Sequence, residues 1–163
     1  MHPSSESGKS PLAGLWLVLG LVTLGLIATV VYKTWPLLYP PLTELAALNS
    51  RCDLRASPCE AVFGGGRWVR FAIEPRDLPT SAPLRLGVET AGLDVAAVEV
   101  DFAGVDMYMG FNRVSLAAVQ KGRYAGQGML PVCVRERMTW EARVLIHTPD
   151  GLLAAPFRFD TNR

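Results

Sequence analysis

Histidine is nearly absent from this sequence. There are two, His2 near the N-terminus and His147 just before Pro149. Neither has neighbours spaced like a catalytic triad or a zinc motif. Cysteine is also scarce: Cys52, Cys59 and Cys133 are three, so any pairing leaves at least one thiol over. An excess of one charge is missing too. Sixteen Lys and Arg stand against fifteen Asp and Glu, spread without runs, for a net charge of +1. That balance argues against nucleic acid, or any acidic surface, as the main partner. The glycines Gly64, Gly65 and Gly66 lack the Lys-Ser/Thr that completes a phosphate loop, so they read as a turn. Asp101 and Asp106 flank Gly104, and two acids around a turn are usually solvated. With no nucleophile–base pair in sight, the sequence points away from an enzyme.

What is present is one long apolar run. Half of the residues are apolar, and mean hydropathy is +0.23. Leu12 to Val31 contains no charge, and its only polar side chains are Thr23 and Thr29. As a helix it would be about 30 Å long, the thickness of a bilayer core. A cleaved signal peptide has a shorter apolar region, about 7–15 residues, and then small residues at its cleavage site. Here the run ends in Tyr32-Lys33-Thr34-Trp35-Pro36, and Tyr32, Trp35 and Tyr39 read as interfacial aromatics. The expectation is an uncleaved signal-anchor in the lipid bilayer: a polar tail over residues 1–11, a transmembrane helix over 12–33, and a connector over 34–59. Trp35 to Pro41, with three prolines, reads as non-helical. Leu42 to Ser50 reads as a short helix with Leu42, Leu45 and Leu48 on one side, packed on the domain or lying at the membrane surface.

Beyond Cys59 the hydrophobic period becomes two. Val69, Phe71 and Ile73 share a face, as do Leu86 and Val88, then Val98, Val100 and Phe102. Arg113–Val119 follows the same alternation. So does Met138–His147, with Trp140, Ala142, Val144 and Ile146 together, and Phe157 and Phe159 close the series. Strict alternation marks strands with one buried and one wet face. Turn residues separate the runs, at Pro79–Pro83, Ala91-Gly92, Lys121-Gly122 and Pro149-Asp150-Gly151. The expected fold over residues 60–163 is therefore an all-β antiparallel sandwich with Trp140 in its core.

The sulfur-bearing residues stand out. Met107, Met109, Met129, Cys133 and Met138 are all the methionines but the first, and one of the cysteines. On a strand, Met107 and Met109 would point to one side, about 7 Å apart. Thioether and thiolate are soft donors that suit Cu(I). Met107, Met109, Cys133 and Met138 are the candidate ligands, with Met129 secondary. Methionine also fills sandwich cores, and Cys133 reads equally as a small buried hydrophobe or as a disulfide partner of Cys52 or Cys59. In a metal-free interaction module, Tyr108, Asn112 and Arg113 would form the contact instead. Cys52 and Cys59 flank a turn-rich segment, and a disulfide between them would imply an oxidising compartment. Basic residues flank the helix too evenly, at Lys9 and Lys33, to orient it strongly, so the cysteines favour the tail inside and the domain outside.

The stretch DMYMGFNRVSLAAVQKGRYAGQGMLPVCVRERMTWEARVLI resembles the YtkA/FixH-like family of membrane-anchored proteins. The resemblance rests on a methionine-bearing strand (Met107, Met109), Gly122-x-Tyr124, Met138-x-Trp140 and Phe157-x-Phe159, and covers roughly residues 98–160. It implies an immunoglobulin-like domain on a membrane helix in the bacterial inner membrane, facing the periplasm. It also implies copper delivery or assembly of a haem–copper oxidase with its assembly factors. Pro131-Val132-Cys133 and the Cys52/Cys59 pair have no counterpart in that pattern.

Mass spectrometry of non-reduced peptides from cell-made protein tests the outside placement. A Cys52–Cys59 cross-link is the expected outcome, and free thiols at both positions would overturn it.

Overall fold

The structure is a computed structural model that describes residues 11–38, 41–131 and 137–162. Most of the expected polar tail and Tyr39 fall outside these, as does Cys133. The chain divides into two compact units, Met1–Pro40 and Pro41–Arg163.

The first unit holds one helix, α1 (Pro11–Leu38). Proline suits the first helical position, whose N–H would have no intrahelical partner. Gly14–Trp35 is long and apolar enough to cross a membrane, and none of its window is buried by protein. Its threonines do not break the apolar surface. Thr23, Thr29 and Thr34 donate to the carbonyls of Leu19, Gly25 and Val30, each at 2.8 Å, so their polar groups are satisfied within the helix. The helix is longer than the expected 12–33 and runs through Pro36. That proline has no N–H to give the carbonyl four residues back, so one rung of the ladder is missing close to where the helix ends.

The second unit holds nine strands among the described residues: β1 (Leu42–Leu45), β2 (Cys59–Val62), β3 (Trp68–Glu74), β4 (Pro83–Ala91), β5 (Ala97–Gly104), β6 (Arg113–Gln120), β7 (Arg123–Met129), β8 (Arg137–Thr148) and β9 (Gly151–Asn162). They form one mixed sheet in the order β1-β9-β8-β5-β6-β7-β4-β3-β2, curled into a half-barrel. The curl turns at β6. Arg113–Leu116 pairs with β5, whereas Ala117–Gln120 pairs with β7 across a register shift. This explains why the alternation expected over Arg113–Val119 fails, with only Leu116 buried and Val119 exposed. A strand that changes partners halfway has no single inner face.

Elsewhere the period-two reading holds. Val69, Phe71 and Ile73 in β3, Leu84, Leu86 and Val88 in β4, and Val98, Val100 and Phe102 in β5 are all buried. They meet Trp140, Ala142, Val144 and Ile146 of β8 and Phe157 and Phe159 of β9. The Phe71 and Phe157 rings, from opposite halves of the sheet, lie 5.4 Å apart. Fully buried Trp140 donates its indole N–H to Thr161 Oγ1 at 3.1 Å, so its one polar atom is paired.

The expected short helix over Leu42–Ser50 does not form, and its first four residues, Leu42–Leu45, are a strand instead. β1 runs parallel to β9, so the sheet is not wholly antiparallel. Ala46 N–H donates to the Ala154 carbonyl at 2.9 Å. Glu44 accepts from Gly64 N–H at 2.7 Å and pairs with Arg67, tying β1 to the turn before β3. An open edge of β9 offers the backbone these bonds, and that outweighs the helical spacing of the leucines. Gly151, at φ +130°, lies so close to Thr43 that any Cβ there would collide with its hydroxyl. The Cys52 and Cys59 sulfurs are bonded, with Cα atoms 5.6 Å apart, and Leu54 in the loop they close is buried in the core.

On the outer face of β8 and β9, Glu141 accepts from Arg143 at 2.7 Å and Arg158 at 2.8 Å. Burial pushes its carboxyl pKa up, but the two guanidinium bonds prevail and hold it below the usual 4.5. Hydrogen bonds from Arg137 and Thr139 likewise hold Asp160 below 3.8. A carboxylate whose pKa falls on folding stabilises above its unfolded value and loses that contribution as pH drops through the folded one. The stability that Glu141 and Asp160 contribute should therefore be present above their unfolded pKa values and be lost in stronger acid. Glu141→Gln should flatten part of that loss in acid titrations followed by circular dichroism. Trp140→Ala should cost about 3–5 kcal/mol in denaturant melts. A loss under about 1 kcal/mol would contradict its place in the core.

Candidate functional site: methionines around Gly104

The methionine segment is not a strand. β5 ends at Gly104, and residues 105–112 form a loop to β6. Both loop ends are tied down. Val105 N–H donates to the Thr139 carbonyl at 3.0 Å, and Phe102 N–H to the Asn112 carbonyl at 2.8 Å. Asn112 Nδ2 also donates to the Met129 carbonyl at 3.0 Å, so the loop spans the ends of β7 and β8. Even without strand geometry, Met107 and Met109 are both partly buried and pack against the core. Tyr108 between them is 88 % exposed, and Phe111 is 78 % exposed.

Gly104 is the centre of the arrangement. A Cβ there would collide with the Met107 carbonyl and with the Cε of Met138, and would crowd Met109 Cγ at 3.2 Å. The missing side chain thus makes room for a thioether from β8 and one from the loop. Met138 is buried on β8, and Met109 lies at the edge of a pocket of about 260 Å³ shared with Tyr108 and Phe111. Met129 does not join them. It ends β7, opposite Pro83, with its side chain exposed. Cys133 lies in sequence between β7 and β8, outside the described residues.

No protein-family model matches this chain, and no curated protein matches it.

The site's chemistry is consequently read from its donors. Thioethers are neutral and polarizable, so they favour a soft monovalent ion over a hard divalent one. Among the described residues, no three of His, Cys, Asp and Glu come together as a metal site. Arg113 stacks over the Phe111 ring at 5.0 Å and lies 3.7 Å from Asp101 and 3.8 Å from Glu99, so its charge is balanced locally. His147 meets the same Glu99 at 2.9 Å, far from the sulfurs in sequence and engaged on the outer face.

Sequence reasoning took Gly104 for a turn and did not single out Phe111. A glycine closing a strand just before a methionine pair was the available sign of close approach. Gly104→Ala should displace the Met138 methyl and cost about 1–3 kcal/mol, a penalty typical of overpacking. Methyl NMR of the methionines should show Met138 and Met109 shifting while Met129 stays in place. An unperturbed Met138 methyl would contradict the close approach.

Proposed function

We propose that this chain is a membrane-tethered, non-enzymatic accessory protein whose β domain binds or passes Cu(I), or supports assembly of a respiratory oxidase. The observation that carries this reading is the convergence of Met109 and Met138 on Gly104. Met107 and Met109 supply thioethers from the loop and Met138 one from β8, and Cys133 would add a thiolate from the connection between β7 and β8. Such a donor set holds Cu(I) without the carboxylates or imidazoles that other first-row ions prefer. A ligand set drawn from a loop and a strand end suits an ion that must be handed on.

The placement belongs to the same proposal. The disulfide favours an oxidising compartment, hence a domain on the periplasmic side of a bacterial inner membrane. Membership in the YtkA/FixH-like family, and an immunoglobulin-like sandwich as the parent of the curled sheet, follow from the sequence resemblance. The facing of Phe71 and Phe157 across the two halves of the sheet supports the sandwich ancestry.

A second reading has its own support. Tyr108 and Phe111 stand in water on a loop whose methionines anchor it from beneath, and aromatic residues beside Arg113 make a typical protein contact. In that reading the domain docks on an inner-membrane complex and carries no metal.

Titrating Cu(I) into the full chain in detergent, against a chromogenic competitor and under reducing conditions, separates the two. Copper binding predicts one ion bound, and loss of that binding in Met109→Leu/Met138→Leu, a pair of nearly volume-conserving changes. If the double variant competes as well as the parent chain, the copper reading fails. Tyr108→Ala/Phe111→Ala should leave copper affinity unchanged and should weaken only capture of a membrane partner.

A further inference from the structure

A different surface carries an inference independent of the methionines. The outer face of β8 and β9 is not wholly polar. Leu145, Ala154 and Pro156 floor a groove of about 630 Å³, and Leu42, Leu45 and Leu48 line its side. These last three are 54 %, 60 % and 39 % exposed. Single exposed leucines are ordinary, but three in seven residues, gathered on one groove, are not. The opposite wall holds Glu141 between Arg143 and Arg158, at 2.7 Å and 2.8 Å, and Asp101 beside Arg113 at 3.7 Å, so it carries one net positive charge. The leucine side of the groove presents only apolar surface.

Its position in the chain points to an occupant. Val31 ends the apolar run of α1, and Leu38 lies about 10 Å further along the helix, at the depth of a headgroup layer. From Leu38 the chain needs only four residue steps to Leu42, a covalent reach of at most about 14 Å. The first exposed leucines after the tether are thus held within reach of the headgroups of the membrane it crosses. Their local concentration there is set by that short link and not by diffusion.

We propose that Leu42, Leu45 and Leu48 form an interfacial foot, inserting at the headgroup–acyl boundary of the chain's own bilayer. The contact is apolar, so it requires neither anionic lipid nor low salt. It would limit the tumbling of the β domain about its tether and give it a preferred face towards the membrane.

The test uses the full chain in phosphatidylcholine vesicles. An environment-sensitive fluorophore is placed on Leu45→Cys, with Met129→Cys at the end of β7 as comparator, both in a Cys133→Ser background. Met129 is similarly open, at 53 % exposure, and sits beside Asn112 of the loop after Gly104, away from β1. Lipids with a headgroup-level nitroxide should quench the label at 45 and spare that at 129, aqueous iodide should do the reverse, and added salt should change neither. Equal lipid quenching at both positions overturns the proposal. So does loss of the difference in high salt. A label at 45 shielded from both quenchers would assign the groove to a second copy of the chain and also overturn it. The unaltered chain gives a second measure, free of labelling, with a headgroup-photoactivatable phosphatidylcholine. Lipid adducts on residues 42–48 are expected, and adducts confined to α1 would refute the foot.

Discussion

Burying one face of a single sheet is the constraint on which the β domain depends. Val69, Phe71, Val100, Trp140, Val144 and Phe157 cannot all leave water on a flat sheet without a second layer. The chain supplies that layer by bending the sheet upon itself at β6. The bend has a local cost, because β6 gives up a continuous inner face and exposes Val119. It gains a core in which aromatic rings from opposite halves touch. The outer faces can then remain wet. Arg70 with Glu60 and Glu89, Arg85 with Glu74, and Arg123 with Glu89 pair there as exposed salt bridges, each of which stabilises little.

The same curl builds the sulfur-bearing end of the domain. Gly104 closes β5 opposite Trp140 of β8, so the strand that carries the core tryptophan also brings Met138 alongside. The loop after Gly104 is stitched to β8 through Thr139 and to β7 through Met129. Methionine serves two ends in this setting. Its flexible, polarizable side chain fills the irregular space at the mouth of a curled sheet. It also leaves soft donor atoms near the surface, where an exposed aromatic loop frames them. The two proposed readings, copper binding and partner docking, thus rest on adjacent residues.

The strand pattern was legible because burial on one face writes itself into alternate residues. β3, β4, β5, β8 and β9 were all visible for that reason. β1 was misread because Leu42, Leu45 and Leu48 repeat at three, a helical spacing, while the decisive partner was the distant edge of β9. β6 was misread for the related reason that its two halves answer to different neighbours. At the candidate site, the residue types were visible and the meeting point was not. Nothing local to Gly104 says that a methionine from β8 will occupy the space its side chain would have filled.

By itself the sequence determined the long apolar helix, the charge balance, the scarcity of imidazole and the set of soft sulfur donors. These are properties of composition and short-range period, and they hold whatever the chain packs against. Tertiary structure alone decided that the sheet curls and is mixed, that Met109 and Met138 share one glycine, and that three leucines after the tether stay exposed. Each of these depends on strands far apart in sequence meeting at a given register. Register is set by which backbone edges and buried faces remain unsatisfied once the other strands are in place.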